Sequence, residues 1–265
     1  MSEAILLDQT DSIATLTFNR PEVRNAIDQE KIGDLREALA HVESDPDVRV
    51  LVLTGAGDHF VAGGDIAFFE KSLSWTPDER RRRFEAVVHR IHPVILTLRR
   101  MSKPVIASVK GAAAGWGVSL VMACDLAIAG DDARFNFGYT AIGACPEGSG
   151  SFFLPRMVGL KKAMQLALLS ERFDASQALA LGIVNWVVPT TELETATREL
   201  AQRLAAGPTI AYGVTKRLMN SALFNSLETQ MQSEAEGFAA CAASEDFGEG
   251  ARAFLERRKP VFEGR

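Results

Sequence analysis

The stretch KPVIASVKGAAAGWGVSLVMACDLAIA, residues 103–129, decides the fold class of this chain. Pro104–Val109 is rich in β-branched and aliphatic residues and predicts a buried strand. Small residues follow over Gly111–Gly117, a helix is predicted to begin with Val118–Ala123, and Leu126–Ala129 predicts a second strand. Two strands flanking a helix are typical of a crossover between parallel strands, so the sequence predicts an α/β fold.

The same alternation continues on both sides of this stretch. Residues 13–18, IATLTF, alternate as a half-buried strand does, and residues 48–54, VRVLVLT, predict a buried strand. A long helix is predicted over about residues 78–101, and the last part of the chain is helical in pattern. We therefore predict an α/β core over residues 1–190 and a helical region over 191–265.

Composition and charge argue against several classes of function. The chain has 265 residues and a net charge of −5, which argues against a nucleic-acid-binding surface. No apolar run approaches the roughly 18 residues that cross a membrane, and the N-terminal segment does not resemble a targeting peptide. Three distant cysteines and four histidines show no metal-ligand spacing. We expect a cytoplasmic protein with no metal site, no nucleic-acid partner and no membrane association.

Two glycine-rich segments each follow a predicted buried strand, one before residue 66 and one over Gly111–Gly117. Neither contains GxGxxG or GxxxxGK[ST], so no motif supports a nucleotide site. A small-residue turn that enters a helix leaves backbone N–H groups unpaired, and two such turns that converge can present two donors to one oxygen. That arrangement is an oxyanion hole. Tight packing of small residues explains the same spacing, and the residues alone leave both interpretations open.

Five segments together resemble the crotonase family, the enoyl-CoA hydratase/isomerases. They are NRPEVRNAI (19–27), FVAGGDI (60–66), residues 103–129, LSERFDASQALALGIVNWVVP (169–189) and SEDFGEGARAFLERRKPVF (244–262). The resemblance implies a crotonase-like spiral of ββα units with a C-terminal helical trimerisation region, in homotrimers or homohexamers. It also implies an acyl-CoA thioester substrate, so that coenzyme A is part of the substrate and no separate cofactor is needed.

The resemblance also implies roles for particular residues. The two oxyanion donors of the family fall on the backbone N–H groups of Ala62 and Trp116. Trp116 stands where relatives usually carry glycine, so its indole is expected to narrow the acyl pocket. Coenzyme A is expected to contact both N-terminal segments and the C-terminal tail of a neighbouring subunit. The residues concerned are Arg24, Ala26, Ala62, Asp65, Ile66, Phe254, Arg258 and Lys259.

Two acids that are typical of the hydratases in this family are missing. The position three residues after Trp116 is Ser119, and the second acid position, in ARFNFGYTAIG (133–143), is Tyr139. Adding water needs one group to deprotonate the water and another to deliver a proton, and serine and tyrosine are poor substitutes for carboxylates at neutral pH. The resemblance therefore disfavours hydration, and Ser119 and Tyr139 are predicted to line the substrate pocket.

Glu147 then becomes the candidate acid. Its turn, CPEGSGSFFLP (145–155), resembles the turn that carries the only catalytic carboxylate of the Δ3,Δ2-enoyl-CoA isomerases. A single base can carry a proton from C2 to C4 while an oxyanion hole holds the dienolate. From spacing alone, a solvated turn explains Glu147 as well as catalysis does. Cys145 is expected to be a small apolar pocket residue.

Other activities of the same family stay open. They are enoyl-CoA hydration, a ring-opening epoxyphenylacetyl-CoA isomerase activity, a 4-chlorobenzoyl-CoA dehalogenase activity and a non-catalytic role in acyl-CoA or RNA binding. The epoxyphenylacetyl-CoA isomerases and the dehalogenases both carry an aspartate at the position of Glu147. In the dehalogenases it is the nucleophile, so the longer glutamate disfavours dehalogenation. The net negative charge disfavours RNA. The sequence therefore favours double-bond isomerisation of an enoyl-CoA thioester.

Overall fold

A computed structural model describes residues 3–27 and 31–265, and it has the mixed α/β architecture that the sequence predicts. The strands are β1 (Ile5–Thr10), β2 (Ile13–Phe18), β3 (Val50–Gly55), β4 (Val105–Val109), β5 (Ala112–Ala114), β6 (Leu126–Gly130), β7 (Arg134–Asn136), β8 (Phe173–Asp174) and β9 (Trp186–Val188). The helices are α1 (Ile32–Ser44), α2 (Ile66–Ser72), α3 (Pro77–Arg100), α4 (Trp116–Ala123), α5 (Gly150–Val158), α6 (Leu160–Leu169), α7 (Ala175–Ala180), α8 (Leu193–Ala205), α9 (Thr209–Ser221), α10 (Leu227–Ala242) and α11 (Glu245–Glu256). The predicted strands and the predicted long helix are confirmed to within two residues.

The larger sheet has the strand order β1-β2-β3-β4-β6-β9. The pair β1 and β2 is antiparallel, and each later pair of neighbours is parallel. Parallel strands are covered on both faces and should be apolar throughout, and β4, with the sequence VIASV, is buried at every position. Because β3 and β4 are parallel neighbours, the loops that follow them begin at the same edge of the sheet.

A smaller sheet has the strand order β5-β7-β8, with β5 and β7 parallel. Along the chain, β4 of the large sheet, β5 of the small sheet and α4 follow one another, which is the ββα unit that the resemblance implies. The sequence analysis predicted no strand within Gly111–Gly117. Three alanines are too few to show an alternating pattern, so β5 could be recognised only from its pairing.

The helical region after residue 190 shares the core of the sheet. In α8, Leu193 packs in one apolar cluster with Val50 of β3 and Ile106 of β4. The buried hydroxyl groups of Thr197 in α8 and Ser108 in β4 share a hydrogen bond of 2.8 Å. Helix α8 is therefore a layer on one face of the sheet, and the domain boundary at residue 190 stays a prediction.

A buried ion pair joins α9 to the same sheet. The Nζ of Lys216 lies 2.6 Å from the carboxylate of Asp125, the residue before β6. The same carboxylate accepts a hydrogen bond of 2.8 Å from the N–H of Val105 at the start of β4. Burial raises the pKa of Asp125 and lowers the pKa of Lys216, because each charged form loses water there. Each partner thus depends on the other to remain charged.

Lys216→Met tests this anchor. We expect the substitution to lower the free energy of unfolding by about 3–5 kcal/mol, because the Asp125 carboxylate is left buried without its partner. The double variant D125N/K216M has no orphan charge and should recover most of that loss. Urea unfolding of the wild type and both variants at pH 7 measures the difference. Equal losses in the single and double variants would show that the buried charge does not set the cost.

Candidate active site

The loops that follow β3 and β4 meet beyond the edge of the large sheet. Val61 in the first loop forms a parallel bridge with Ala113 of β5, and the N–H of Ala114 donates to the Val61 carbonyl oxygen at 2.9 Å. Gly63 lies against the same strand, since a Cβ built on it falls 3.2 Å from the carbonyl oxygen of Ala114. The two small-residue turns therefore converge, which the spacing alone had left open.

The N–H of Ala62 is not available to a ligand. It donates to the carbonyl oxygen of Arg24 at 3.0 Å and so joins the FVAGGDI segment to the NRPEVRNAI segment. A backbone N–H that is already bonded within the chain cannot also serve as a free donor to a substrate oxygen. The prediction that Ala62 is an oxyanion donor is therefore wrong.

In this segment, Gly64 is the residue whose backbone N–H is free to bind a ligand oxygen. The N–H of Ile27 donates to the Gly63 carbonyl at 2.8 Å, and the N–H of Asp65 donates to the Ile27 carbonyl at 3.2 Å. These bonds are a parallel bridge centred on Gly64, whose own N–H then points away from Ile27, to the side where β5 lies. No described residue accepts a hydrogen bond from it. Gly63, with φ of 94°, breaks the strand alternation that would otherwise turn Ala62 and Gly64 to the same side.

Trp116 supplies a second N–H. It is the first residue of α4, and the first four N–H groups of an α-helix have no partner within the helix. None of the described residues accepts a hydrogen bond from it in another way. The preceding residue, Gly115, donates its own N–H to the carbonyl of Asn136 at 2.8 Å, which fixes the start of the helix. Gly64 and Trp116 are the candidate oxyanion donors of this structure.

The indole of Trp116 packs against the turn that carries Glu147. The side chain is buried, and its ring meets Phe18 edge-on with 6.4 Å between ring centroids. A Cβ built on Gly148 would fall 2.3 Å from Cδ1 of the indole, and Gly148 also has φ of 57°. Any other residue at this position would meet both the ring and a strained backbone. From the sequence, the indole is expected to narrow the acyl pocket; in the structure it lies against the backbone of this turn.

Glu147 is held by two side chains and is withdrawn from water. Its Oε1 accepts a hydrogen bond of 3.1 Å from the Tyr139 hydroxyl, and its backbone carbonyl accepts one of 3.1 Å from Ser119 Oγ. Its Oε2 is buried and has no partner among the described residues. Burial disfavours the charged form and raises the pKa of Glu147 to about 7, although the hydrogen bond from Tyr139 opposes this shift. A solvated turn does not describe this residue.

No cation among the described residues forms a salt bridge with Glu147. The next basic residue along the chain, Arg156, donates to the Phe152 carbonyl, and its guanidinium lies 3.8 Å from the centroid of the Phe152 ring. No cation in the described structure therefore offsets the effect of burial, which raises the pKa of this carboxyl group.

Buried polar atoms without a partner cluster around this turn. In the described part of the chain, the buried side-chain atoms with no hydrogen bond are Trp116 Nε1, Asn136 Oδ1 and Glu147 Oε2. Asn136 is joined to the start of α4 through Gly115, and Trp116 touches the turn itself. Buried polar groups are normally paired, so such a cluster is typical of a site that receives a polar ligand.

The three predicted pocket residues differ in position. Ser119 and Tyr139 are buried and contact Glu147. Cys145 is exposed, as are the residues from 141 onward that lead to it. The chain approaches the Glu147 turn along the surface, and the place of Cys145 in the substrate pocket stays a prediction.

An ion pair organises the predicted coenzyme A segments. The Asp65 carboxylate caps α2 by accepting the Ala67 N–H at 2.9 Å, and it lies 2.8 Å from the Arg20 guanidinium. Arg20 also donates to the carbonyl of Ala26, which is buried. The Asp65 carboxylate is thus already bonded to groups of its own chain. Arg20 was missed by the sequence analysis, because its partner is 45 residues away and no pattern marks the pair.

Other predicted coenzyme A residues are exposed. Arg24 and Ile66 lie at the surface beside this ion pair, with Ile66 77% exposed. Phe254 and Lys259 are exposed on α11 and on the segment after it, where Arg258 forms salt bridges within its own segment. Contacts of these residues with coenzyme A, within one chain or from a neighbouring subunit, stay a prediction.

Aromatic side chains of α2, α3 and the link between them lie next to Gly64. A Cβ built on Gly64 would fall 3.0 Å from Cζ of Phe69, which stacks on Phe84 with 5.8 Å between centroids. Phe68 meets Phe84 and Trp75 edge-on at 5.1 and 5.3 Å. These four rings are half-buried and form an apolar wall beside the candidate oxyanion donor.

Within residues 3–27 and 31–265, no three His, Cys, Asp or Glu side chains come together in a way that could hold a metal ion. In the same part of the chain, no helix has both the length and the apolar character needed to cross a membrane. The candidate site described above consists of two backbone N–H groups and one carboxyl group.

Comparisons with known proteins agree on one family. A family model described as enoyl-CoA hydratase/isomerase matches residues 8–265. The chain is 37% identical to the 1,2-epoxyphenylacetyl-CoA isomerase of Escherichia coli K12 over 266 residues, which is 100% of each chain. It is 35% identical to the crotonyl-CoA hydratase of Syntrophomonas wolfei over 98% of each chain. A crystal structure of an enoyl-CoA hydratase from Polaromonas sp. JS666 matches with a TM-score of 0.91 at 33% identity, over 98% of this chain and 99% of that one.

Gly148→Ala tests the packing of the Glu147 turn on the indole. The added methyl group collides with the Trp116 ring and puts alanine in a left-handed conformation, so we expect a loss of at least about 2 kcal/mol in the free energy of unfolding. Gly143→Ala is the matched control, because Gly143 has φ of 71° but nothing lies within 4 Å of its built Cβ. Only the backbone cost, about 1 kcal/mol, is expected there. Equal losses in urea unfolding would contradict the collision.

The raised pKa of Glu147 also makes stability depend on pH. The folded-state pKa of about 7 lies above the ordinary value of about 4.3, so the folded state binds this proton more tightly and stability falls as pH rises between those values. Glu147→Gln lacks the penalty and should be more stable than wild type at pH 8 by up to about 3 kcal/mol. Most of that gain should disappear at pH 5. Urea unfolding at both pH values checks this, and a gain that does not change with pH would contradict it.

Proposed function

This chain belongs to the enoyl-CoA hydratase/isomerase family, and we propose that within it the chain is an isomerase that moves the double bond of an enoyl-CoA thioester. The observation that carries the proposal is the buried carboxyl group of Glu147, which has a pKa of about 7. Ser119 and Tyr139, at the positions where the hydratases carry their two acids, contact Glu147 and do not replace it. One acid is what an isomerisation needs.

The N–H groups of Gly64 and Trp116 are proposed to bind the thioester carbonyl oxygen. Two donors at that oxygen stabilise the negative charge that develops on it and make a proton on C2 more acidic. Trp116 also begins α4, and the partial positive charge of a helix N-terminus favours an anion at the same place. The same two groups would hold the dienolate until the proton is returned.

Glu147 is proposed to take a proton from C2 of a 3-enoyl thioester. The electron pair of the C2–H bond forms a C1–C2 double bond as the carbonyl oxygen becomes an oxyanion. The carbonyl then re-forms, a C2–C3 double bond forms, and the pair from the C3–C4 double bond takes the proton back at C4. A base with a pKa near 7 is suited to both steps, because it must accept the proton and release it again at neutral pH.

Hydration requires a second acid–base group, and the neighbours of Glu147 are poorly suited to that role. Burial, and then the nearby charge of Glu147, raise the pKa of Tyr139 further above its ordinary value. The Ser119 hydroxyl already donates a hydrogen bond to the backbone carbonyl oxygen of Glu147. Hydratases are nevertheless among the named relatives, so water addition is measured beside isomerisation in the test below.

A second candidate is isomerisation of an epoxide-bearing acyl-CoA. The observation that favours it is the 37% identity, over the whole of each chain, to a relative named 1,2-epoxyphenylacetyl-CoA isomerase. That substrate is also a coenzyme A thioester, so the same two N–H donors can bind its carbonyl oxygen. The half-buried rings of Phe68 and Phe69 beside Gly64 would suit an aromatic acyl group.

We further propose a homotrimer or homohexamer, in which coenzyme A enters only as part of the substrate. Large apolar side chains are exposed on the last two helices, and exposed apolar patches of this kind mark interaction surfaces. They are Leu227, Met231, Phe238, Phe247, Phe254 and Leu255.

Glu147→Gln tests the proposed activity. With 3-enoyl-CoA thioesters as substrates, we expect kcat to fall by about 10²–10⁴-fold, because the variant cannot accept the proton. Wild-type activity should fall as pH drops below about 7, where Glu147 becomes protonated. Formation of the 2-enoyl and 3-hydroxyacyl products is followed by chromatography, and 1,2-epoxyphenylacetyl-CoA is assayed in parallel.

The control is Glu194→Gln, which makes the same change at an exposed position of α8. If Glu147→Gln keeps wild-type kcat, Glu147 is not the base. If the wild type leaves 3-enoyl-CoA unchanged but converts separately supplied 2-enoyl-CoA to the 3-hydroxyacyl product, the protein is a hydratase and the isomerase proposal is wrong.

A further inference from the structure

We propose, on the basis of the isomerase activity proposed above, that Tyr139 is a positioning residue for Glu147. Its hydroxyl donates a hydrogen bond to Oε1 of the carboxylate. Oε2 is then the oxygen that exchanges the proton with the substrate.

The two carboxylate oxygens of Glu147 are in different environments. Oε1 accepts the Tyr139 hydroxyl hydrogen at 3.1 Å, whereas Oε2 is buried and has no partner among the described residues. An oxygen that already accepts a hydrogen bond is a weaker base than one that accepts none. The asymmetry therefore selects Oε2 as the proton acceptor, and the carboxyl group is prevented from rotating freely in its pocket.

Tyr139 is the donor in this contact whenever Glu147 is charged, because a carboxylate can only accept. Burial and the nearby carboxylate both raise the pKa of its hydroxyl, so the hydroxyl keeps its proton at any pH at which the protein works. When Glu147 is charged, the hydrogen bond stabilises the charged form and lowers the pKa of the carboxyl group. Tyr139 thus counteracts part of the effect of burial on Glu147.

The backbone places Tyr139 between the donor loop and the acid. Its ring lies against the loop, since a Cβ built on Gly115 would fall 3.8 Å from Cζ of Tyr139. Its carbonyl oxygen accepts the N–H groups of Ile142 and Ala144 at 3.1 and 2.9 Å, which folds the chain back toward Glu147. A shift of this residue would change the distance between the oxyanion donors and the base, so the side chain has to be tested without removing the ring.

Ser119 positions the same acid through the backbone. It is fully buried on α4, three residues after Trp116, and its hydroxyl donates to the Glu147 carbonyl at 3.1 Å. Helix α4 therefore positions both the proposed base, through Ser119, and one oxyanion donor, Trp116. Because Ser119 contacts the Glu147 backbone and the Tyr139 hydroxyl, and not the carboxyl group itself, its loss should change the position of Glu147 and affect its acidity less than loss of the Tyr139 hydroxyl does.

Tyr139 is the titratable group that faces the Glu147 carboxyl group in the described structure. Helix α4 contributes Ser119 and Trp116 to the surroundings, and Gly148 follows in the turn; none of these ionises near neutral pH. Arg156 of α5 is directed onto Phe152. A change in the acidity of Glu147 on substitution of Tyr139 is thus attributable to the lost hydrogen bond.

Tyr139→Phe is the deciding experiment, because it removes the hydroxyl and keeps the ring. We expect kcat for 3-enoyl-CoA to fall by about tenfold or more with KM changed little, and the acidic limb of the pH profile to move up by about one unit or more. Ser119→Ala should lower kcat and move the acidic limb less than Tyr139→Phe does. Tyr212→Phe, at the other tyrosine of the chain, is the matched control and should change neither.

A readout that does not depend on turnover separates this proposal from the proposed function. Infrared difference titration, with Glu147→Gln as the reference, reports the protonation of the Glu147 carboxyl group in each protein. If Tyr139→Phe leaves both this titration and the acidic limb unchanged, the role of Tyr139 is overturned. If the titration moves up but no variant, nor the wild type, isomerises any enoyl-CoA thioester, the proposed function fails and the contact stands.

Discussion

The hydrogen bond from the Ala114 N–H to the Val61 carbonyl is the contact on which the candidate site depends. It joins two loops that leave neighbouring parallel strands, and it brings the free N–H of Gly64 toward that of Trp116 at the start of α4. Only small residues allow this approach, since a Cβ on Gly63 would press on the Ala114 carbonyl. Donors built from backbone on a rigid sheet need no rearrangement when charge develops on a bound oxygen.

Asp125 and Glu147, two acids whose carboxyl groups are largely withdrawn from water, show how differently the fold can surround an acid. Asp125 is paired with Lys216 and also accepts a backbone N–H, so its charge is compensated where it lies. Glu147 has only the Tyr139 hydroxyl and keeps one oxygen unpaired. Leaving a carboxylate in this state costs stability, and the cost is what raises its pKa into the range useful for proton transfer.

Much of the fold could be predicted from the sequence, because it depends on local pattern. Strands β2, β3, β4 and β6 of the large sheet and the long helix appear within two residues of their predicted places, whereas β1 was not predicted. The failures lie where a single backbone angle or a distant partner decides the outcome. The N–H groups of Ala62 and Gly64 point to opposite sides because Gly63 turns the chain between them. The ion pair of Arg20 leaves no local pattern at all.

By itself, the sequence determined the α/β class and the family and singled out Glu147 as the candidate acid, since these follow from periodicity, motif order and the replacement of two other acids. Only the tertiary structure decided which N–H groups are free and what touches the acid. An N–H is free or bonded according to which strand lies beside it. The pKa of a carboxyl group depends on its exposure to water and on its hydrogen-bond partners. Both are properties of neighbours that are distant in sequence, so Gly64 and the Tyr139 contact were visible only in the folded chain.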